Sequence, residues 1–366
     1  MNTTWDSALD GMLVTLDSLG GSDLHLRPGS SARARVHGDL RVLPGSDVLS
    51  LADVEQMVAV VVPTHLSARL ATAGDADTSY TSAAGARFRA HAYHQRGEVT
   101  LVLRRVLDAP RTTEQLRLPP VTLRLAEQQR GLVLVCGPTG SGKTSTLGAM
   151  VDHINRTRPV HIVTLEDPIE ILHRDQRAWV SQREIGIDLP DFGTGMRAAV
   201  REDPDVIVVG EMRDRETVVA ALTAAETGHL VLSSLHTTDA AETVNRIVEL
   251  FPDDQRHQIR LVLAETLRGT VCQRLVKSAG GTERVPAVEV MIVNGRVQRC
   301  ILDPTTKEDM AEIVADSEFY GMQTFDQSLA SLYEDEVIDL RDALSAATNP
   351  HDLTVSLRRQ GLLAHH

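Results

Sequence analysis

Gly131-Leu-Val-Leu-Val-Cys-Gly-Pro-Thr-Gly-Ser-Gly-Lys-Thr144 decides the fold. Its first six residues form a short apolar run opened and closed by glycine, which predicts a buried strand. The next eight, Gly137-Pro138-Thr139-Gly140-Ser141-Gly142-Lys143-Thr144, fit GxxxxGK[ST] without a mismatch. A helix-like stretch follows from Ser145 to Asn155. Strand, glycine loop and helix in that order make a P-loop. Glycines let backbone N–H groups turn inward around a phosphate with no Cβ in the way. The helix N-terminus adds a partial positive charge. Lys143 is expected to reach the β- and γ-phosphates as a point charge, and Thr144 to offer its hydroxyl to Mg²⁺. Gly137 through Ser145 are therefore the candidate cradle for a nucleoside triphosphate, with ATP and Mg²⁺ as the implied ligands.

Further buried runs lie at His161–Leu165, Asp205–Val209 and Leu230–Leu235, with helix-like stretches between them. That alternation predicts a parallel sheet covered by helices on both faces. In such sheets ligands sit at the carboxyl ends of the strands. Ile162-Val-Thr-Leu-Glu-Asp-Pro-Ile-Glu170 puts Glu166 and Asp167 at such an end, near the phosphates; solvated acids at a helix start are the alternative. Asp205-Val-Ile-Val-Val-Gly-Glu211 takes the place of a Walker B strand, but Gly210 stands where an Asp would hold Mg²⁺. Thr144 and waters are then expected to hold the metal, with Glu166 reaching it through water. Glu211 is the expected base or water-orienting residue. A structural salt bridge to Arg213 is the alternative. Thr227-Gly-His-Leu-Val-Leu-Ser-Ser-Leu-His-Thr237 carries a histidine at each end of a strand. Contact of His229 and His236 with the γ-phosphate or the base stands level with an ordinary satisfied histidine.

The 366 residues suggest two domains at about 150 residues each. Hydrophobic residues at 42% and charged residues at 24% are globular values. A net charge of −13 speaks against a nucleic-acid partner, and 3% aromatics supply few stacking platforms. Cys136, Cys272 and Cys300 form neither a disulfide framework nor a CxxC pair, which fits a reducing compartment. Met1 to Asp10 is polar and acidic, unlike a signal peptide. No apolar run nears the roughly 18 residues of a membrane span. The chain reads as cytoplasmic, with any membrane role exerted through a partner. Lysine occurs only at Lys143, Lys277 and Lys307, whereas arginine supplies every other cation. At Lys143 a compact ammonium is needed, and a planar guanidinium does not replace it.

Residues 1–107 read as an α+β domain. It has strand-like runs at Leu24–Leu26, Ala34–His37 and Leu40–Leu43, helical spacing over 51–72, and an antiparallel pair over 86–106 turning at Gln95-Arg96-Gly97. Residues 108–120, with Pro110, Pro119 and Pro120, read as a linker. Residues 121–293 form the ATPase core, opening on an amphipathic helix at Val121–Gln129. From about 255 the pattern is mostly helix-like, with a break at Gly280-Gly281 and one more strand-like run at Val285–Val293. Residues 294–366 read as a C-terminal helical region.

The ordered series resembles the secretion-superfamily ATPases, and within them the type IV pilus retraction ATPases of the PilT/PilU family. The resemblance runs from Ser22-Asp-Leu-His-Leu26 and Arg35-Val-His-Gly-Asp39 through the P-loop. It is densest at Ile162–Glu170, Ser181-Gln-Arg-Glu184, Arg197–Asp205 and Val209-Gly-Glu-Met-Arg-Asp214. It continues at Ala224-Ala-Glu-Thr-Gly-His-Leu-Val231 with Leu235-His-Thr237 and closes at Gly321-Met-Gln-Thr-Phe-Asp-Gln-Ser-Leu329. It implies a PAS-like N-terminal α+β domain before a RecA-like P-loop core, with ATP bound between them in a homohexameric ring. It also implies that Arg89 and Arg104 neutralise the γ-phosphate in the transition state, an effect worth roughly 10³–10⁵ in rate. The motor would act on an inner-membrane pilus platform protein from the cytoplasmic face, without inserting in the membrane, and drive retraction in twitching motility. Extension- or secretion-type ATPases, an accessory ATPase and a nucleic-acid motor on the same core are the alternatives. The absence of a tetracysteine insert favours the retraction branch. The retraction motif Ala-Ile-Arg-Asn-Leu-Ile is replaced here by Val297-Gln-Arg-Cys-Ile301.

Overall fold

A computed structural model of the chain describes residues 3–36, 38–106, 109–281 and 283–363, with the side chains of Thr3 and Thr4 left out. His37, expected in a strand, and Leu107 and Asp108, at the expected end of the first domain, lie outside the described residues. The chain forms two compact units. One is Met1–Ala109 with Asp167–Leu172 and Gly186–Asp188; the other is Pro110–Glu166, His173–Ile185 and Leu189–His366.

The first unit begins with α1 (Thr3–Ser18), β1 (Asp23–Leu26), β2 (Arg33–Val36) and β3 (Asp39–Val42). Then come α2 (Leu51–Val61), α3 (Thr64–Ala73), β4 (Asp75–Thr81), β5 (Arg87–Gln95) and β6 (Glu98–Arg105). Pro63, which cannot supply a helical N–H, divides the helical stretch into α2 and α3. Ser50 and Asp53 close a capping box at the start of α2. Arg96 and Gly97, at φ 56° and 84°, make the tight turn between β5 and β6. The strands form one antiparallel sheet in the order β3-β2-β1-β6-β5-β4. Its core joins Leu9, Leu13 and Leu16 of α1 and Met57 of α2 to Phe88, Leu101 and Leu103. Edge strand β4, Asp-Ala-Asp-Thr-Ser-Tyr-Thr, gives no apolar signal, because only Ala76 and Thr78 are buried.

The second unit opens with α4 (Val121–Ala126), β7 (Gly131–Cys136), α5 (Lys143–Thr157), β8 (His161–Glu166), β9 (Trp179–Glu184), α6 (Phe192–Ala199) and β10 (Val206–Val209). It continues with α7 (Arg215–Glu226), β11 (Leu230–Leu235), α8 (Ala240–Glu249), α9 (Asp253–Thr266), β12 (Leu267–Lys277) and β13 (Arg284–Ile292). The sheet order is β13-β12-β7-β11-β10-β8-β9, parallel except for β13. Alternate residues of one strand enter different cores. Leu132, Leu134 and Cys136 pack on one face, and Val133 and Val135 on the other. Burial on both faces is why these strands read as unbroken apolar runs.

Two strands of this sheet depart from the sequence expectation. β9 is an edge strand, polar along most of its length. β12 lies in a stretch that reads as helical. It begins at the residue that caps α9, with no turn residue between, and it carries Arg268, Gln273 and Arg274 among its apolar positions. The C-terminal region consists of α10 (Gly295–Leu302), α11 (Met310–Ala315), α12 (Phe325–Glu334), α13 (Leu340–Ala346) and α14 (Pro350–Arg359). The stretch Val297–Ile301 lies in α10, where Val297, Cys300 and Ile301 are buried and Arg299 pairs with Glu308.

Candidate functional site

The carboxyl ends of β7, β11, β10 and β8 are adjacent, so whatever follows each strand meets along one edge. After β7 comes the glycine loop. Gly137, Gly140 and Gly142 hold φ values of 144°, 80° and 96°, a region closed to most side chains. A Cβ on Gly137 would sit 2.5 Å from both the Gln273 carbonyl oxygen and Ser141 Oγ. Lys143 is buried and donates from Nζ to the Gly137 carbonyl at 2.7 Å and the Pro138 carbonyl at 3.2 Å. Thr144 and Ser145 stand in the first turn of α5, Thr144 exposed. Ser141 Oγ is buried with no partner among the described residues. Side-chain-free backbone, a buried ammonium, an unpaired hydroxyl and a helix N-terminus together fit a phosphate. No three His, Cys, Asp or Glu converge on a metal position among the described residues. The Thr144 hydroxyl with phosphate oxygens and water is the donor set Mg²⁺ uses at such sites.

After β8, Glu166 accepts from Thr164 Oγ1 at 2.6 Å and Gln182 Nε2 at 3.0 Å, which fix its carboxylate. Asp167, the next residue, belongs to the first unit. After β10, Gly210 lies level with Glu166. A Cβ there would approach the Leu165 carbonyl to 3.3 Å and Glu166 Cα to 3.6 Å. The glycine therefore meets a close backbone neighbour on β8.

Glu211 is the centre of the edge. Its Oε1 meets Arg213 Nε at 2.7 Å and His236 Nε2 at 3.0 Å. Burial pushes this carboxyl up, but the Arg213 hydrogen bond and the charges of His236 and Arg213 outweigh it and hold it below the usual range. The salt bridge to Arg213 is present, and it does not separate Glu211 from His236. Two hydroxyls fasten β10 to β11: Ser233 Oγ donates to the Val209 carbonyl at 2.7 Å, and Ser234 Oγ to the Gly210 carbonyl at 2.6 Å.

His229 is a correction. It precedes β11, so it lies at the amino end of the sheet, and its carbonyl pairs with the N–H of Gly131 where β7 begins. Six strand residues at ~3.3 Å each put it about 20 Å from the phosphate edge of its own chain. Its Nδ1 rests 3.0 Å from the Ala224 carbonyl. The strand that delivers His236 to the site necessarily takes His229 away.

Arg89 and Arg104 belong to the first unit and are cross-strand partners on β5 and β6. Arg104 Nε donates to the buried Asp23 carboxylate at 2.7 Å.

Sequence reasoning misses Ser233, Ser234, Gln273 and Glu289. The two serines lie in a buried strand and read as core; Gln273 lies on the unforeseen β12. Glu289, on β13 across from Cys272, accepts the N–H of Ala240 at 2.9 Å and so holds the first turn of α8, just after His236-Thr237. Burial, with Asp239 and Asp326 adding to it, pushes the Glu289 carboxyl up to about 7, against the Ala240 N–H and Arg274. A carboxyl raised in the fold favours its protonated form. Its ionisation therefore opposes folding as pH climbs from the usual carboxylate range through 7. We expect the melting temperature of Glu289→Gln minus that of the unaltered chain to grow from pH 5 to pH 7 and then level off. Thermal unfolding across that range checks it, and a flat difference refutes it.

The family described as Type II/IV secretion system protein matches residues 101–327. The "Twitching motility protein" of Neisseria gonorrhoeae is 40% identical over 320 residues, 87% of this chain and 85% of that one. The "Type IV pilus retractation ATPase PilT" of Pseudomonas aeruginosa is 39% identical, over 91% of this chain and 96% of that one. Among solved structures, "Crystal Structure of the Pilus Retraction Motor PilT and Bound ADP" shares 38% identity at a TM-score of 0.87, covering 94% of this chain and 98% of that one.

Proposed function

Because the chain belongs to the Type II/IV secretion system protein family, and to the pilus retraction ATPases within it, we propose that it hydrolyses ATP as the motor that retracts a type IV pilus. The observation that carries this reading is Glu211 held against His236 at the strand ends beside the P-loop. Gly137 to Ser145 hold the phosphates and Lys143 neutralises the β- and γ-oxygens; Thr144 would hold Mg²⁺, with Glu166 reaching it through water. When bound there, Mg²⁺ would supply stabilisation of the charge that builds on a phosphoryl group. Glu211 is an anion at neutral pH, hence a weak proton acceptor. It orients the attacking water and His236 rather than taking a full proton. Arg89 and Arg104 contribute to turnover on the strength of the family resemblance.

The working form in this reading is a homohexameric ring, recruited to a platform protein at the inner face of the cytoplasmic membrane. No helix among the described residues is long and apolar enough to cross a membrane. Light scattering of the purified chain is expected to give six times its 39.9 kDa mass when Mg-ATP is present. A monomer under every nucleotide condition overturns the ring. Turnover stimulated by DNA or RNA would instead favour a nucleic-acid motor. An accessory ATPase of the same machinery is the second reading, favoured by the altered stretch Val297–Ile301 in α10.

A further inference from the structure

Two polar atoms, one in the P-loop and one on the neighbouring strand β12, are buried with no hydrogen-bond partner among the described residues: Ser141 Oγ and Gln273 Oε1. Gln273 is 1% exposed and Ser141 3%. Both border one stretch of backbone. β12 runs beside β7 with Cys272 across from Cys136, so Gln273 falls level with Gly137. A Cβ at Gly137 would lie 2.5 Å from the Gln273 carbonyl oxygen, and one at Gly142 would come within 3.8 Å of Gln273 Nε2. Gln273 thus runs along the underside of the loop from its first glycine toward its last. Leu275 is the other side chain beneath Gly142, at 3.9 Å.

An apolar residue of the same length would fill this floor without leaving an unpaired oxygen. A buried acceptor without a donor carries the full desolvation cost of that group, and folded chains hold few of them. What sets this acceptor apart is its place, level with Gly137 and against Gly142 of the phosphate loop. We propose that Gln273 is a positioning residue of the nucleotide site: its amide braces the P-loop from below, and its oxygen gains a hydrogen bond from Ser141 Oγ or a loop N–H when phosphate fills the cradle. This rests on the reading that the P-loop binds ATP. A bond missing in the free chain and made in the loaded one adds to affinity and subtracts from resting stability.

The test uses the full chain, a fluorescent ADP analogue and thermal unfolding, with Gln273→Met as an apolar substitute of matched length. The expected result is a melting temperature without nucleotide equal to or above that of the unaltered chain. Affinity for the analogue falls about tenfold, the scale of one hydrogen bond, and the rise in melting temperature on adding ADP shrinks. Adding Ser141→Ala to Gln273→Met is expected to cost less than the two losses combined, as for partners in one network. Gln273→Leu replaces the methionine variant if that one does not fold. Affinity within twofold of the unaltered chain, or a loss of resting stability with affinity intact, overturns the proposal and leaves Gln273 a core residue. If the unaltered chain shows no ADP-induced rise, the nucleotide reading falls and the proposal with it.

Discussion

Lys143→Ala is expected to abolish ATP turnover, by about 10³-fold or more, the scale of removing a fixed cation from a phosphoryl-transfer site. Lys143 is the one lysine of the P-loop in a chain that writes its cations as arginine. Its ammonium is buried and already points at the loop, donating to the Gly137 and Pro138 carbonyls. In the proposed site, phosphate oxygens would replace these carbonyl oxygens, a stronger, charge-assisted pairing. Alanine leaves the glycines and the helix N-terminus in place, so the variant still folds. It loses affinity and rate together, since the cation holds the bound phosphates and pairs more strongly still with the charge of the transition state. Lys143→Arg is expected to fail nearly as badly, because the forked guanidinium overfills a cradle shaped for a compact ammonium. Steady-state turnover with a nucleotide titration reads both quantities. Activity of Lys143→Ala within tenfold of the unaltered chain would remove Lys143 from the site.

Glu211→Gln separates binding from chemistry. The amide keeps the volume and one acceptor, so Arg213 and His236 retain a partner. What goes is the negative charge. We expect kcat to fall about 10²–10³-fold, the range for removing one preorganised electrostatic group, with KM for ATP near that of the unaltered chain. Neighbouring cations hold the Glu211 carboxyl low, so it stays ionised well below neutrality. Any loss of kcat between pH 8 and pH 6 therefore belongs to another group, and the pH profile should show no acid limb from Glu211 there. Equal loss of kcat and of nucleotide affinity would recast Glu211 as a structural anchor for Arg213.

The parallel sheet was legible because β7, β8, β10 and β11 are buried on both faces and their sequences are mostly apolar, broken only by Thr164 within β8 and by Ser233 and Ser234 within β11. The phosphate loop was legible because glycine at positive φ has few substitutes. β4, β9 and β12 were not, each for its own reason. β4 and β9 are edge strands with polar faces, and β12 follows a helix without a turn. Missing β12 also hid Gln273, since its place under the loop follows only from the Cys136–Cys272 register. The two histidines around β11 show another limit. Spacing in sequence treats both ends of a strand alike, whereas a parallel sheet gives them opposite edges. Gly210 read as an acid that had been lost, but its closeness to Glu166 is a contact that only the third dimension discloses.

The hydroxyl clips from Ser233 and Ser234 have a mechanical meaning. They tie the end of β10 to β11, and these two strands deliver Glu211 and His236. Sliding one strand past the other would break two side-chain hydrogen bonds, about 0.5–1.5 kcal/mol each, besides the ladder itself. The acid and the imidazole therefore travel as one rigid part, like two teeth cut on a single gear. Strain sent through the sheet would then reach the pair as a common displacement, their spacing kept by two hydroxyls that bond to backbone carbonyls and not to the pair itself.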